Sequence, residues 1–205
     1  MAARSIWKLD PAHSSIEFSV KHMMITTVRG RFKDIAATIS IDEEHPEKSS
    51  VEAEIETASI DTGAPDRDMH LRSPDFFDVE TYPTVTFRST RVEGAHASEG
   101  DRFKVLGDLT IRDTVMEVAL NVTFDGTGMD PWGNRRAGFT ASAEIDRRDW
   151  GLLWNQVIET GGVLVANKVR IQAEVQAVQE QPEKGQEEAV PASGDEPPQA
   201  GAGVP

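Results

Sequence analysis

Cysteine is absent from this 205-residue chain. That absence removes disulfides, thiolate nucleophiles and cysteine-ligated zinc or iron–sulfur centres. It suits a reducing compartment without requiring one. Long apolar runs are also missing. Lys8 and Asp10 interrupt the N-terminus before it can supply the about 7–15 consecutive apolar residues of a signal peptide. No stretch approaches the roughly 20 apolar residues of a membrane helix. The expectation is therefore a cytoplasmic protein with no stable membrane insertion. Positive charge is scarce as well. The net charge is −14, and no basic stripe or aromatic–arginine platform offsets it, so nucleic-acid binding is not expected.

The chain divides by composition. Residues 180–205 are rich in Pro, Gly, Ala, Gln and Glu, with Glu180, Glu183, Glu187, Glu188, Asp195 and Glu196 set against Lys184 alone. So little apolar surface cannot offset the entropy lost on ordering, and the tail reads as disordered. Residues 1–179 form one domain, long enough to bury a sizeable core.

Within that domain, period-two alternation recurs. Ile16, Phe18 and Val20 alternate with Glu17, Ser19 and Lys21, and Val51, Ala53 and Ile55 with Glu52, Glu54 and Glu56. Such a pattern gives half-buried strands with one wet face. Further sets run through Ile35–Ile41, Val85–Phe87, Phe103–Ile111, Met116–Phe124, Ala137–Ile145 and Val165–Val175, separated by turn signals including Asp125-Gly126 and Gly161-Gly162. The phase slips near Lys33-Asp34, as at a β-bulge, which favours a closed barrel over a flat sandwich. A helix is predicted to begin at Asp66 after Pro65 and to stop near Ser73-Pro74, with Phe76 and Phe77 packed at the mouth or side of the barrel.

The fold class is thus all-β: an eight-stranded antiparallel barrel with one short inserted helix. Eight strands enclose an interior that side chains fill or that holds one small ligand. The inward sets include Ala37, Ala53, Gly107, Ala137, Ala141, Ala143 and Ala173. Either a lipid-sized cavity or a tapering interior of alternating small and large residues satisfies that pattern.

Several segments carry a resemblance. Leu9-Asp10-Pro11-Ala12-His13-Ser14 leading into Ile16–His22, the run Val28-Arg29-Gly30-Arg31-Phe32, and His70-Leu71-Arg72-Ser73-Pro74-Asp75-Phe76-Phe77-Asp78 stand in order. Tyr82-Pro83-Thr84 with Phe87, Gly107-Asp108-Leu109-Thr110-Ile111-Arg112 and Arg148-Asp149-Trp150-Gly151 follow. Together they resemble the YceI family of lipocalin-like polyisoprenoid-binding proteins over roughly residues 6–178. The resemblance implies an eight-stranded barrel with a long apolar tunnel for isoprenoid chains or isoprenoid quinones, often homodimeric and without known catalysis. Many relatives carry a secretion signal, which is not expected from the opening residues here, and the acidic tail is not part of the motif.

Chemistry-bearing candidates are few. His22 is in phase with Ile16, Phe18 and Val20, so it points inward, either to orient a polar head group or to serve structurally. His13 sits in a turn. Asp66, Asp68 and His70 are spaced so that they do not share a helix face, which argues against a metal site. The Asp10–Ser14 segment holds a serine, a histidine and an acid too close in sequence for a triad, and no Gly-x-Ser-x-Gly elbow occurs. Trp132, Trp150 and Trp154 are candidates for core or cavity ends, and Met23-Met24-Ile25 for a flexible portal or a covered turn. No cofactor is expected beyond a bound polyisoprenoid or quinone-like lipid. The expected ligand-lining residues, by phase, are Phe18, Val20, His22, Phe32, Ile55, Phe76, Phe87, Leu109, Phe139 and Val165. The competing expectations are an enzyme using His22 with a buried acid, and an interaction or stress-response module with a filled barrel.

Overall fold

The computed structural model describes residues 4–96, 98–157 and 162–181. Gly161 and nearly all of the acidic tail, residues 182–205, lie outside the described residues. The strands are β1 (Ser5–Leu9), β2 (Ser15–His22), β3 (Thr26–Phe32), β4 (Ile35–Ile41), β5 (Ser50–Glu56) and β6 (Ile60–Asp61). After the helix α1 (Pro65–Arg72) come β7 (Thr84–Glu93), β8 (Arg102–Ile111), β9 (Thr114–Met129), β10 (Arg135–Asp146) and β11 (Val165–Gln179).

Three staves of the barrel are broken strands: β1 with β2, β3 with β4, and β5 with β6. Counted this way there are eight staves, each antiparallel to its chain neighbour. The last, β11, returns to the first, pairing Leu9 with Ala177 on β1 and Ile16 with Ala173 on β2. The sheet is a closed eight-stranded antiparallel barrel, as the alternation predicts.

The three breaks lie side by side. Pro11–His13 form a 3-10 turn whose first N–H, that of Ala12, donates to the Asp10 carboxylate. The second break is Lys33-Asp34, where the sequence phase slips. The third is the 3-10 turn Thr57–Ser59. Lys33 N–H donates to the Ser59 carbonyl at 3.3 Å and Glu56 N–H to the Asp34 carbonyl at 3.0 Å. The corner therefore keeps its backbone groups paired, as buried polar groups require. Thr57 is fully buried there and its hydroxyl bonds the Tyr82 and Pro83 carbonyls, fixing the segment that leads into β7.

The helix departs from expectation in its start. Ala64 is the cap and Pro65 occupies the first turn, where a missing N–H costs nothing. Asp68, instead of sharing in a cap, is buried and accepts from both the N–H and the hydroxyl of Thr62. This ties α1 to the end of β6.

A charged cluster closes the seam between β1, β11 and β10. Arg136 donates to Asp10 at 2.5 Å, to Asp130 at 2.9 Å and to the Gln176 side chain at 3.1 Å. The Arg136 bond, then the one from His13, holds the Asp10 carboxyl down at about 2. For Asp130, partial desolvation acts upward, but hydrogen bonds from the Asn134 backbone and side chain and from Arg136 outweigh it and bring the carboxyl to about 2. Both groups return to their ordinary values on unfolding, so their stabilisation is complete above about pH 4 and is lost as pH falls toward 2. Urea midpoints measured across this range are expected to drop steeply for the parent. Arg136→Met is expected to lower the midpoint at neutral pH and to flatten the acid limb, and an unchanged acid limb would place the sensitivity elsewhere.

Candidate functional site

The barrel encloses a cavity of about 900 Å³. Its lining runs from Asp42, Pro46 and Arg135 at one end to His22, His70 and Trp154 at the other. That volume lies toward the upper end of the roughly 300–1,000 Å³ typical of small-molecule sites. The interior is thus not filled by side chains, which decides between the two interiors that the alanine pattern allows.

Two glycines explain how large aromatic residues line the wall without closing it. Phe18 on β2 faces Gly30 on β3, and a Cβ at Gly30 would sit 2.4 Å from the tip of the Phe18 ring. A Cβ at Gly107 would likewise sit 2.5 Å from the Phe87 ring and 2.6 Å from the Arg88 carbonyl oxygen. Each ring lies flat over a neighbouring strand where only glycine leaves space. Gly107, one of the small inward residues whose role the sequence left open, provides the bed for Phe87.

The two ends differ. Around Arg135, a tight cluster of Trp7, Ala137 and Ala177 packs with Ile39, Ile41, Phe124 and Phe139. Trp7 is 1% exposed, and its indole donates to the Ser5 hydroxyl. Along β2, β3 and the first half of β11, by contrast, the inward residues Phe18, Val20, Val28, Val169 and Ile171 are only half-buried. Their remaining apolar surface faces the cavity.

At this second end, the His70 ring stands edge-on to Trp154 at 4.6 Å and to Phe76 at 5.1 Å, while its Nε2 lies 2.9 Å from Asp75. Phe77 packs edge-on against Phe32. Arg147 lines the same end and is 4% exposed. It donates to the carbonyls of Ala166, Leu152 and Val165, pinning the turn after β10 to the start of β11. Desolvation pushes its pKa below the ordinary arginine value.

All ten residues named from phase line this cavity: Phe18, Val20, His22, Phe32, Ile55, Phe76, Phe87, Leu109, Phe139 and Val165. Of the small residues, Ala37, Ala53, Ala137, Ala141 and Ala173 face it, whereas Ala143 is packed in the core. Asp66, Asp68 and His70 do not converge, since Asp68 turns to Thr62 and His70 to Asp75. His13 bonds Asp10 in its turn. Trp150 is a core residue whose indole donates to the Leu109 carbonyl, and Trp132 is exposed on the β9–β10 turn. Among the described residues, no hydrogen bond or ion pair joins His22 to a carboxylate. Sequence phase missed Trp7 and Arg147. A charged side chain at the end of a strand signals a solvent-facing turn, and nothing in the pattern distinguishes the buried exception, Arg147.

A closed antiparallel barrel around one apolar cavity defines the class of small-ligand barrels to which lipocalins belong. Within that class, the chain belongs to the YceI-like domain family, whose model matches residues 7–177. It is 41% identical over 138 residues to the protein plu2095 of Photorhabdus laumondii, covering 67% of this chain and 70% of that one. It is 37% identical over 153 residues to Protein YceI of Escherichia coli O157:H7, covering 74% and 78%. Among solved structures, Burkholderia cenocepacia BcnA superposes with a TM-score of 0.70 at 25% identity, covering 82% of this chain and 98% of BcnA. A polyisoprenoid binding domain from Saccharophagus degradans shares the fold at a TM-score of 0.60 and 17% identity, covering 85% and 98%.

Gly107→Ala is expected to destabilise the barrel by about 1–3 kcal/mol, because the Phe87 ring and the Arg88 carbonyl must both move. Gly107→Ala with Phe87→Leu is expected to recover part of the loss. Urea unfolding of the three proteins checks this, and equal midpoints for parent and Gly107→Ala would show that the ring has another place to go.

Proposed function

We propose that the barrel binds a long apolar amphiphile, a polyisoprenoid, an isoprenoid quinone or a similar lipid, to carry or sequester it without catalysing a reaction. The single observation behind this reading is the continuous apolar cavity of about 900 Å³ inside a closed wall. Burying one methylene contributes about 0.8 kcal/mol, so roughly ten of them supply about 8 kcal/mol before the costs of immobilising the chain. A long, thin, apolar chain fits this length of lining, and a small polar metabolite gains little from it. His22 and His70 are among the polar groups at one end of the lining that can meet a head group. Family membership and the polyisoprenoid binding domain among the fold neighbours support the same class of ligand.

Gentle purification followed by organic extraction and mass spectrometry tests the proposal. A long-chain isoprenoid or quinone in stoichiometric amount is the expected result. A protein that yields none and also takes up no added isoprenoid would overturn it. Ala141→Phe, placed on the cavity wall, is expected to weaken uptake by about tenfold or more while leaving the barrel folded. Ala143→Phe, in the packed core, is expected to lower stability instead, and circular dichroism with urea titration separates the two.

A further inference from the structure

The end of the barrel that holds His22 and Trp154 carries large apolar side chains facing solvent. Met24 and Ile25, at the tip of the β2–β3 hairpin, are 70% and 75% exposed. Leu153 and Val157 are exposed on the segment after β10, and Val163 just before β11. These pieces are laced into one rim. Met23 N–H donates to the Leu164 carbonyl at 2.8 Å, Leu164 N–H to the Gln156 carbonyl at 2.9 Å, and Val157 pairs with Val163. Exposed apolar residues scattered singly need no explanation, but a joined set around the end of an apolar cavity does.

The backbone of the tip adds an independent observation. Met23 and Met24 have φ of 51° and 59°, and Ile25 N–H closes the turn on the His22 carbonyl. A turn with both central residues left-handed is the place for Asn-Gly or Gly-Gly, and unbranched apolar residues there are strained. The turn holds two methionines outward where its own geometry favours other residues.

Charge supplies a third observation. On the outer wall beside the rim, β11, β2 and β3 carry Lys168, Arg170, Lys21 and Arg29. Lys168 and Arg170 share one carboxylate, Glu144, at 2.7 and 3.4 Å. In a chain of net charge −14, this shoulder is locally cationic.

We infer that the rim docks on an anionic lipid bilayer, Met24, Ile25 and Leu153 entering the headgroup–acyl boundary while Lys21 and Arg29 meet acidic headgroups. Apolar anchors flanked by bases are the pattern of interfacial binding, where each base near the surface adds its own attraction. The purpose of docking rests on the carrier reading: a cargo insoluble in water enters the cavity from the phase that dissolves it. The docking itself does not depend on that reading.

The test uses the full chain and flotation with vesicles of phosphatidylcholine and phosphatidylglycerol that contain no isoprenoid. The parent is expected to float with them, less so with phosphatidylcholine alone and less at high salt. Met24→Gln with Ile25→Gln is expected to reduce vesicle affinity about tenfold. Lys21→Gln with Arg29→Gln is expected to abolish only the preference for phosphatidylglycerol. Met23→Asn with Met24→Gly removes the side chains while relieving the turn, so loss of flotation by a protein at least as stable as the parent excludes misfolding as the cause. A parent that ignores both vesicles, or variants that float as well as the parent, would overturn the inference. So would a rim that pairs two copies of the chain in solution and leaves vesicles untouched. Uptake of a detergent-dispersed isoprenoid, measured in parallel, keeps the two ideas apart. Uptake without flotation sinks the docking alone, and flotation without uptake sinks the carrier reading alone.

Discussion

Closure of the sheet is the constraint on which the rest of the structure depends. With β11 bonded to β10 on one side and to both β1 and β2 on the other, every stave has two neighbours and no long unpaired edge remains. Beside the break of the first stave, one strand passes unbroken. The 15 residues of β11 do this, serving β2 along its first half and β1 along its last. The Arg136 cluster sits on that join, so ionic contacts are concentrated where the barrel would otherwise open.

A closed wall frees the interior from the duty of holding the fold together. Around part of the circumference the core is conventional. Ile55, Val85, Val105, Leu109, Val118 and Trp150 are buried in one cluster contributed by β5, β7, β8, β9 and the turn after β10. On the opposite side, β2, β3 and the first half of β11 present half-buried apolar residues to open space. The aromatic residues that could bridge the gap are laid aside, Phe18 over Gly30 and Phe87 over Gly107. Placing a ring over a glycine keeps its apolar surface out of bulk water without spending lumen volume.

Most of the wall was legible in the sequence because a strand's period is local: facing alternates regardless of what lies opposite. The eight staves, the slip at Lys33-Asp34 and the inward ten residues all follow from that period. What lay beyond it depended on cross-strand register. Whether Gly107 made room or received a ring depended on Phe87 being beside it, and whether Ala141 or Ala143 met the lumen depended on which of them the core cluster covers. Arg147 illustrates the harder limit. Its burial is made possible by three backbone carbonyls from two other segments, Leu152 and the pair Val165 and Ala166, and no spacing within its own turn announces them.

The size of the cavity argues that it is a built feature and not a packing defect. Voids left by truncating packed side chains cost about 24 cal/mol per Å³, which at this volume would be on the order of 20 kcal/mol. That exceeds the roughly 5–15 kcal/mol by which domains are stable, so the chain could not carry such a void in a core that relied on being full. The cost must instead be avoided locally, by rings seated on glycines, by a packed belt on one side and by a wall whose strands are paired with one another around the barrel. A ligand that enters such a space has no side chains to displace and gains contacts on every face. Binding to the folded chain alone then raises its stability in proportion to the logarithm of ligand concentration. Under the reading proposed above, the half-buried residues of β2, β3 and the first half of β11 contribute to that gain, because they have apolar surface left to cover.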